Sequence, residues 1–216
     1  MTPPIVFDLD GTLVDSAPDI RAGVNSAMEA RGLAPFALED IIRFIGNGLP
    51  RLVERVAHAR GVTDVPALHL EVAAAYDAFN GALTRPYPGV RAALASLAAK
   101  GHPLGICTNK PLGATRDLLT RIALSDPFAV VIGGDSLAVR KPDPAPLAAA
   151  FDALGPSGIF VGDSEVDAQT AQDLGVPFML FTEGYRKSPT ASIPHCARFS
   201  DWADVPGLVT ELLTAS

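Results

Sequence analysis

Two carboxylates one residue apart close an apolar run near the amino terminus, where IVFDLDGT sets Asp8 and Asp10 just before Gly11. For stability alone this is a poor arrangement. Asp is depleted in strands, and like charges at a strand end repel unless something positive lies between them. A cation and a phosphate would satisfy both carboxylates. Side chains at i and i+2 of an extended segment point the same way, so the spacing aims Asp8 and Asp10 at one place. Gly11 would let the backbone approach a phosphate closely, with the amides of residues 9 to 11 donating to its oxygens. Taken alone, the pair also reads as turn residues before a glycine.

Further along the chain, other apolar runs end in equally polar groups. Thr108 and Asn109 follow LGIC, Lys141 lies in RKPDP after AVVIGG, and Asp163, Ser164 and Asp167 follow GIFVG. Each has a plainer explanation. Thr108 and Asn109 can organise the start of a helix, Lys141 can be a solvated surface lysine, and Ser164 with Asp167 matches a capping box. Jointly, four run ends supply several carboxylates, a hydroxyl and an ammonium. Carboxylates in that number call for a hard cation such as Mg²⁺, which takes oxygen ligands and commonly shares a substrate phosphate. The set reads as a phosphoryl-transfer site.

The elements that must position these groups follow from periodicity. Five short apolar runs, PIVFDL, HPLGICTN, PFAVVIGGD, SGIFVGD and VPFMLF, read as strands, and helical stretches such as GVRAALASLAAKG separate them. That alternation predicts a parallel sheet with helices on both faces, whose ligands bind beyond the carboxyl ends of the strands. One connection is far too long for a simple crossover, which needs only a dozen or more residues. Residues 15–85 carry helical periodicity, with Ile20, Val24 and Met28, then Leu52, Val53 and Val56, then Leu68, Val72, Tyr76 and Phe79. The expected class is therefore α/β: a doubly wound, Rossmann-like core (1–15 and 85–216) with a helical cap (16–84) inserted after the first strand.

The motifs DLDGT at 8–12, TN at 108–109, Lys141 in KPDP and GDSEVD at 162–167 resemble, in order, the four motifs of the haloacid dehalogenase superfamily of phosphohydrolases. FIGNGLPRLVE at 44–54 and GGDSLAVRKPDPAP at 133–146 are similar to phosphoglycolate phosphatases in particular. The resemblance implies that Asp8 is the nucleophile and that Asp10 is the acid and base. It further implies that Thr108, Asn109 and Lys141 hold the phosphoryl oxygens, and that Mg²⁺ is bound by Asp8, the Asp10 carbonyl and Asp163. Ser164 and Asp167 would sit behind those ligands. The leaving group must be recognised largely by the cap. GNGLPR at 46–51 places Asn47, Gly48 and Arg51 at a helix start, a geometry suited to a second anion such as a carboxylate; an interhelical turn with a solvated arginine would look the same.

Composition narrows the field. Of 216 residues 48% are hydrophobic and 19% charged, and 17 Lys and Arg stand against 24 Asp and Glu for a net charge of −7. No basic run tracks a nucleic-acid backbone, no apolar run reaches membrane-spanning length, and two cysteines, Cys107 and Cys196, are too few for a disulfide framework. The four histidines are scattered. These features suit a cytoplasmic protein without nucleic-acid or membrane partners, and the resemblance implies an enzyme, monomeric or a small homo-oligomer, acting on a small phosphate ester. Another small ester, a pyrophosphate, a sugar-phosphate mutase or a receiver-like phosphoacceptor module remain as alternatives.

Overall fold

Ile5–Phe7 forms β1, an apolar strand with both faces covered, as expected for the middle of a parallel sheet. In the computed structural model, which describes residues 2–79 and 81–214, β1 pairs in parallel with a strand on each side. The chain continues through β2 (Val14–Asp15), α1 (Ala17–Ala30), α2 (Leu38–Phe44), α3 (Gly48–Arg60), α4 (Val65–Phe79) and β3 (Arg85–Pro86). There follow α5 (Val90–Ala99), β4 (Leu104–Cys107), α6 (Leu112–Arg121), β5 (Val130–Ile132) and α7 (Ala145–Leu154). The last elements are β6 (Ile159–Gly162), α8 (Glu165–Leu174), β7 (Phe178–Phe181), β8 (Ala197–Phe199) and α9 (Val205–Thr214).

The main sheet has the order β5-β4-β1-β6-β7-β8 and is parallel throughout. Winding runs outward from β1 to β5, then resumes on the other side of β1 with β6. Such a switch point opens a crevice at the carboxyl ends of the adjacent strands. Alternation along β1 assigns its faces. Ile5 and Phe7 join Leu94, Leu97, Trp202 and Val209 on one side, whereas Val6 packs with Leu147, Phe151 and Ala171 on the other. The five strands expected from the sequence are all present. The sixth, β8, lies in the turn-rich stretch 182–200, whose three-residue strand is too short and too polar at Arg198 to show a period.

Helices α1 to α4 share a separate apolar cluster built from Val24, Met28, Ile41, Val53, Val56, Leu68 and Val72. They leave and rejoin the sheet through an antiparallel ribbon in which Val14 faces Pro86 and Asp15 faces Arg85. Gly23 lets α1 and α4 come close, since a Cβ there would stand 2.9 Å from the Tyr76 Cα. The return segment is held by one buried carboxylate. Asp19 accepts the backbone N–H groups of Gly81, Leu83 and Thr84 at 3.0, 2.9 and 2.8 Å, together with the Thr84 hydroxyl. Truncating it strands the two buried donors of Thr84 and two partly buried N–H groups at once. Asp19→Ala is expected to lower the unfolding free energy by about 3 kcal/mol in urea denaturation; a change within about 0.5 kcal/mol, the ordinary surface range, would contradict this role.

Candidate active site

The carboxyl ends of β1, β4 and β6 deliver Asp8, Thr108 and Asp163 to one crevice, and the loop after β5 brings Lys141 beneath them. All four line a cavity of about 120 Å³, with Asp10, Gly48, Asn109, Ser164 and Asp167. Lys141 is buried between two carboxylates, donating to Asp8 Oδ1 at 2.8 Å and to Asp167 Oδ1 at 2.6 Å. Asp167 Oδ2 accepts from the Ser164 hydroxyl at 2.6 Å and its N–H at 3.2 Å, so the capping box at the start of α8 also fixes the lysine's partner. Asp163 accepts the Thr12 hydroxyl at 2.9 Å and the Tyr185 backbone N–H.

Oxygens of Asp8, Asp163 and Asp167 all lie within 4.8 Å of one another, close enough to share a metal ion. The electrostatics fit a cation. Burial drives the Asp8 carboxyl up to about 7, a rise that Lys141 only partly offsets and that Asp167 and Asp10 reinforce. Burial likewise raises Asp163, with Asp167 and Asp8 adding to the effect. Lys141 is held above the ordinary lysine range, because attraction to Asp167 and Asp8 exceeds its own burial cost. Hard oxygen donors, excess negative charge and a single bridging ammonium make a site that a divalent cation would neutralise. Asp167 therefore belongs with the carboxylate group itself, though both of its oxygens are already hydrogen-bonded.

Several expectations from the sequence need correction. Gly11 does not line the cavity, and its amide donates to the Val14 carbonyl at 2.8 Å. Its φ of +89° and its contact with Asp163 and Tyr185, where a Cβ would come within 2.6 and 2.7 Å, explain the glycine. Arg51 faces solvent on the first turn of α3, paired with Glu54 at 2.6 Å, and stays out of the cavity. Asn47 is also outside the lining, its side-chain oxygen accepting from Arg55 at 2.8 Å. The start of α3 meets the site through Gly48, Leu49 and Leu52, while its arginine extends into solvent. Asn109 lines the cavity yet spends its amide N–H groups on the Lys141 and Gly46 carbonyls at 3.0 and 3.2 Å, tying the two segments together.

Further residues join the site. Lys110, adjacent to the TN pair, is buried 3.7 Å from Asp10 Oδ1 and donates to the Tyr76 hydroxyl from α4. Tyr185 is buried with the helical cluster, accepts the N–H groups of Ser16 and Ala17 at 2.8 and 2.9 Å, and donates to Asp15 at 2.6 Å. It thereby satisfies orphan donors at the start of α1 while its backbone holds Asp163. Lys187 lines the cavity and donates to the Ile45 carbonyl at 2.8 Å, whereas Arg186 turns back to the Thr182 carbonyl. Of these, Lys110 had a local signal in its place next to a strand-end motif, and Lys187 with Arg186 in being adjacent cations of the turn-rich stretch 182–200, of which only Lys187 reaches the lining; Tyr76 and Tyr185 look like ordinary core aromatics.

A parallel sheet with carboxylates, a hydroxyl and a lysine at its switch point defines a phosphoryl-handling class of protein. The haloacid dehalogenase-like hydrolase family model matches residues 5–181, and the chain belongs to that family. It is 50% identical over 218 residues to a phosphoglycolate phosphatase of Cereibacter sphaeroides, covering 98% of this chain and 99% of that one. A phosphoglycolate phosphatase of Rhodobacter capsulatus is 42% identical, with 97% of each chain covered. The crystal structure of a predicted phosphoglycolate phosphatase from Haemophilus somnus 129pt superposes with a TM-score of 0.91 at 30% identity, covering 96% of this chain and 97% of that one. The protein is thus an enzyme of phosphatase type. Among the described residues, no helix is long and apolar enough to cross a membrane.

The raised Asp8 sets the sign of a pH effect. Between its ordinary value of 3.8 and about 7 the folded, metal-free protein holds a proton that the unfolded chain has released, so its stability falls as pH rises through that window. A cation must displace that proton. The rise in Tm produced by saturating Mg²⁺ is expected to be larger on the alkaline side of about pH 7 than on the acid side. Equal rises on both sides, read by differential scanning calorimetry, would contradict the site.

Proposed function

We propose that the protein is a Mg²⁺-dependent phosphatase that converts 2-phosphoglycolate to glycolate and phosphate through an aspartyl-phosphate on Asp8. The observation that carries this reading is the buried cluster of Asp8, Asp163 and Asp167 around Lys141 at the switch point of the sheet. The substrate assignment draws on the relatives named above and on the modest cavity, which suits a short leaving group. In this reading residues 16–84 are a cap over a core of 1–15 and 85–216, and catalysis takes place between them.

Asp8 attacks phosphorus in line, forming a carboxylate–phosphorus bond as the bond to the ester oxygen breaks. Asp10 gives that oxygen a proton, so glycolate leaves neutral at its hydroxyl. In the second step Asp10 takes a proton from water, which attacks phosphorus and returns the Asp8 carboxylate with release of phosphate. Lys141 and the Thr108 hydroxyl donate to the phosphoryl oxygens, where charge resides in the transition state. Thr108 is free to do so because its oxygen accepts the Lys110 N–H at 3.2 Å, leaving its own hydrogen to donate. Mg²⁺, held by Asp8, Asp163 and the Asp10 carbonyl with Asp167 beside them, would offset repulsion between the attacking carboxylate and the phosphate.

The test is phosphate release from 2-phosphoglycolate with Mg²⁺, beside sugar phosphates, nucleotides and pyrophosphate. A strong preference for phosphoglycolate is expected, with turnover abolished in Asp8→Asn and kcat lowered about 100- to 10,000-fold in Asp10→Asn. Broad, weak hydrolysis would overturn the substrate, and full activity in Asp8→Asn would overturn the mechanism.

A further inference from the structure

A substrate bearing both a phosphate and a carboxylate poses a problem for this cavity. Its lining already contains Asp8, Asp10, Asp77, Asp163, Glu165 and Asp167, and another carboxylate entering such a space needs a cation within reach. The lining cations differ in what they can offer. Lys141 gives two donors to Asp8 and Asp167 and keeps its third for the phosphoryl group, and Lys187 is an exposed residue whose ammonium donates to the Ile45 carbonyl. Arg51, the arginine that the sequence singles out for this task, lies outside with Glu54.

Lys110 is different. Its ammonium is buried, with one N–H directed to the Tyr76 hydroxyl oxygen and with Asp10 Oδ1 at 3.7 Å, an ion pair beyond hydrogen-bond range. That Asp10 oxygen is itself buried without a hydrogen-bond partner. An ammonium has three donors, and a buried one is costly unless they are used. Because the Tyr76 oxygen accepts from Lys110, its own O–H is left to donate. The two groups also come from different parts of the chain, Lys110 from the end of β4 and Tyr76 from α4.

We propose that Lys110 and Tyr76 form the subsite for the substrate's carboxylate, the ammonium and the phenolic O–H both donating to it. The position suits the reaction. Asp10 serves the leaving oxygen, a single carbon separates that oxygen from the carboxylate in phosphoglycolate, and Lys110 is the cation next to Asp10. The subsite is complete only when α4 lies over the sheet, so an ester lacking the carboxylate forgoes a contact that holds the helices in place. Gly23 of α1, by admitting the Tyr76 backbone, sets where the phenol stands.

This inference rests on the reading of the protein as a phosphatase for a carboxylate ester, and the test separates the two. kcat/KM is measured for 2-phosphoglycolate and for 2-hydroxyethyl phosphate, which replaces the carboxylate with a neutral group, in the wild type, Lys110→Met, Lys110→Arg and Tyr76→Phe. The wild type is expected to favour phosphoglycolate. Lys110→Met is expected to shrink that ratio about 10- to 100-fold, as for loss of a hydrogen bond to a charged group, chiefly through KM. Lys110→Arg is expected to recover part of the ratio and Tyr76→Phe to reduce it several-fold. A wild-type preference that survives in Lys110→Met, or equal losses on both esters, would overturn the subsite and leave the substrate assignment standing. A wild type with no preference would remove both. If Lys110→Met does not fold, an unchanged ratio in Tyr76→Phe and Lys110→Arg overturns the subsite equally.

Discussion

The burial of several carboxylates around one ammonium is the constraint that the rest of this structure serves. Lys141 bridges Asp8 and Asp167, and like charges so close together, with so little water, are unfavourable unless compensated. The parallel sheet makes the cluster possible by setting β1 and β6 side by side, so that Asp8 and Asp163 emerge together. The capping box of α8 then turns Asp167 toward the lysine. Parallel pairing of β1 with β4 and β6 fixes where these groups emerge, which holds them ready for a phosphate and a cation.

The helical segment is joined to this cluster by few but specific contacts. Tyr185 holds Asp163 with its backbone and the start of α1 with its hydroxyl, while Asn109 and Lys187 reach across to the carbonyls of Gly46 and Ile45. Asp19 fastens the returning strand to the first helix. These are polar connections at the margin of two apolar clusters that are otherwise separate. Such an arrangement keeps the segment in register over the cavity without merging it into the main core.

Most of the fold was legible in advance because its signals are local. Short apolar runs, glycines after helices and one overlong connection sufficed for the strands around β1 and for the helical stretch after it. The ribbon of β2 and β3 and the edge strand β8 escaped, being two or three residues long and specified by pairing partners distant in sequence. The stretch GNGLPR shows the limit on the chemical side. It does open a helix beside the cavity, yet Arg51 and Asn47 find their partners in Glu54 and Arg55, whose positions follow from helical rotation.

By itself the sequence determined which chemical groups follow the strands: Asp8, Thr108 and Asp163 directly, and Lys141 in the loop after β5, because strand polarity and the winding rule send them to one edge. Tertiary structure alone decided which charges are paired, which are buried and which remain available. It took Arg51 out of the cavity and put Lys110 against Tyr76, which stands 34 positions away in the chain. The reason is physical. Periodicity reports which face of an element is apolar, whereas the partner of a buried charge is set by how separate elements pack.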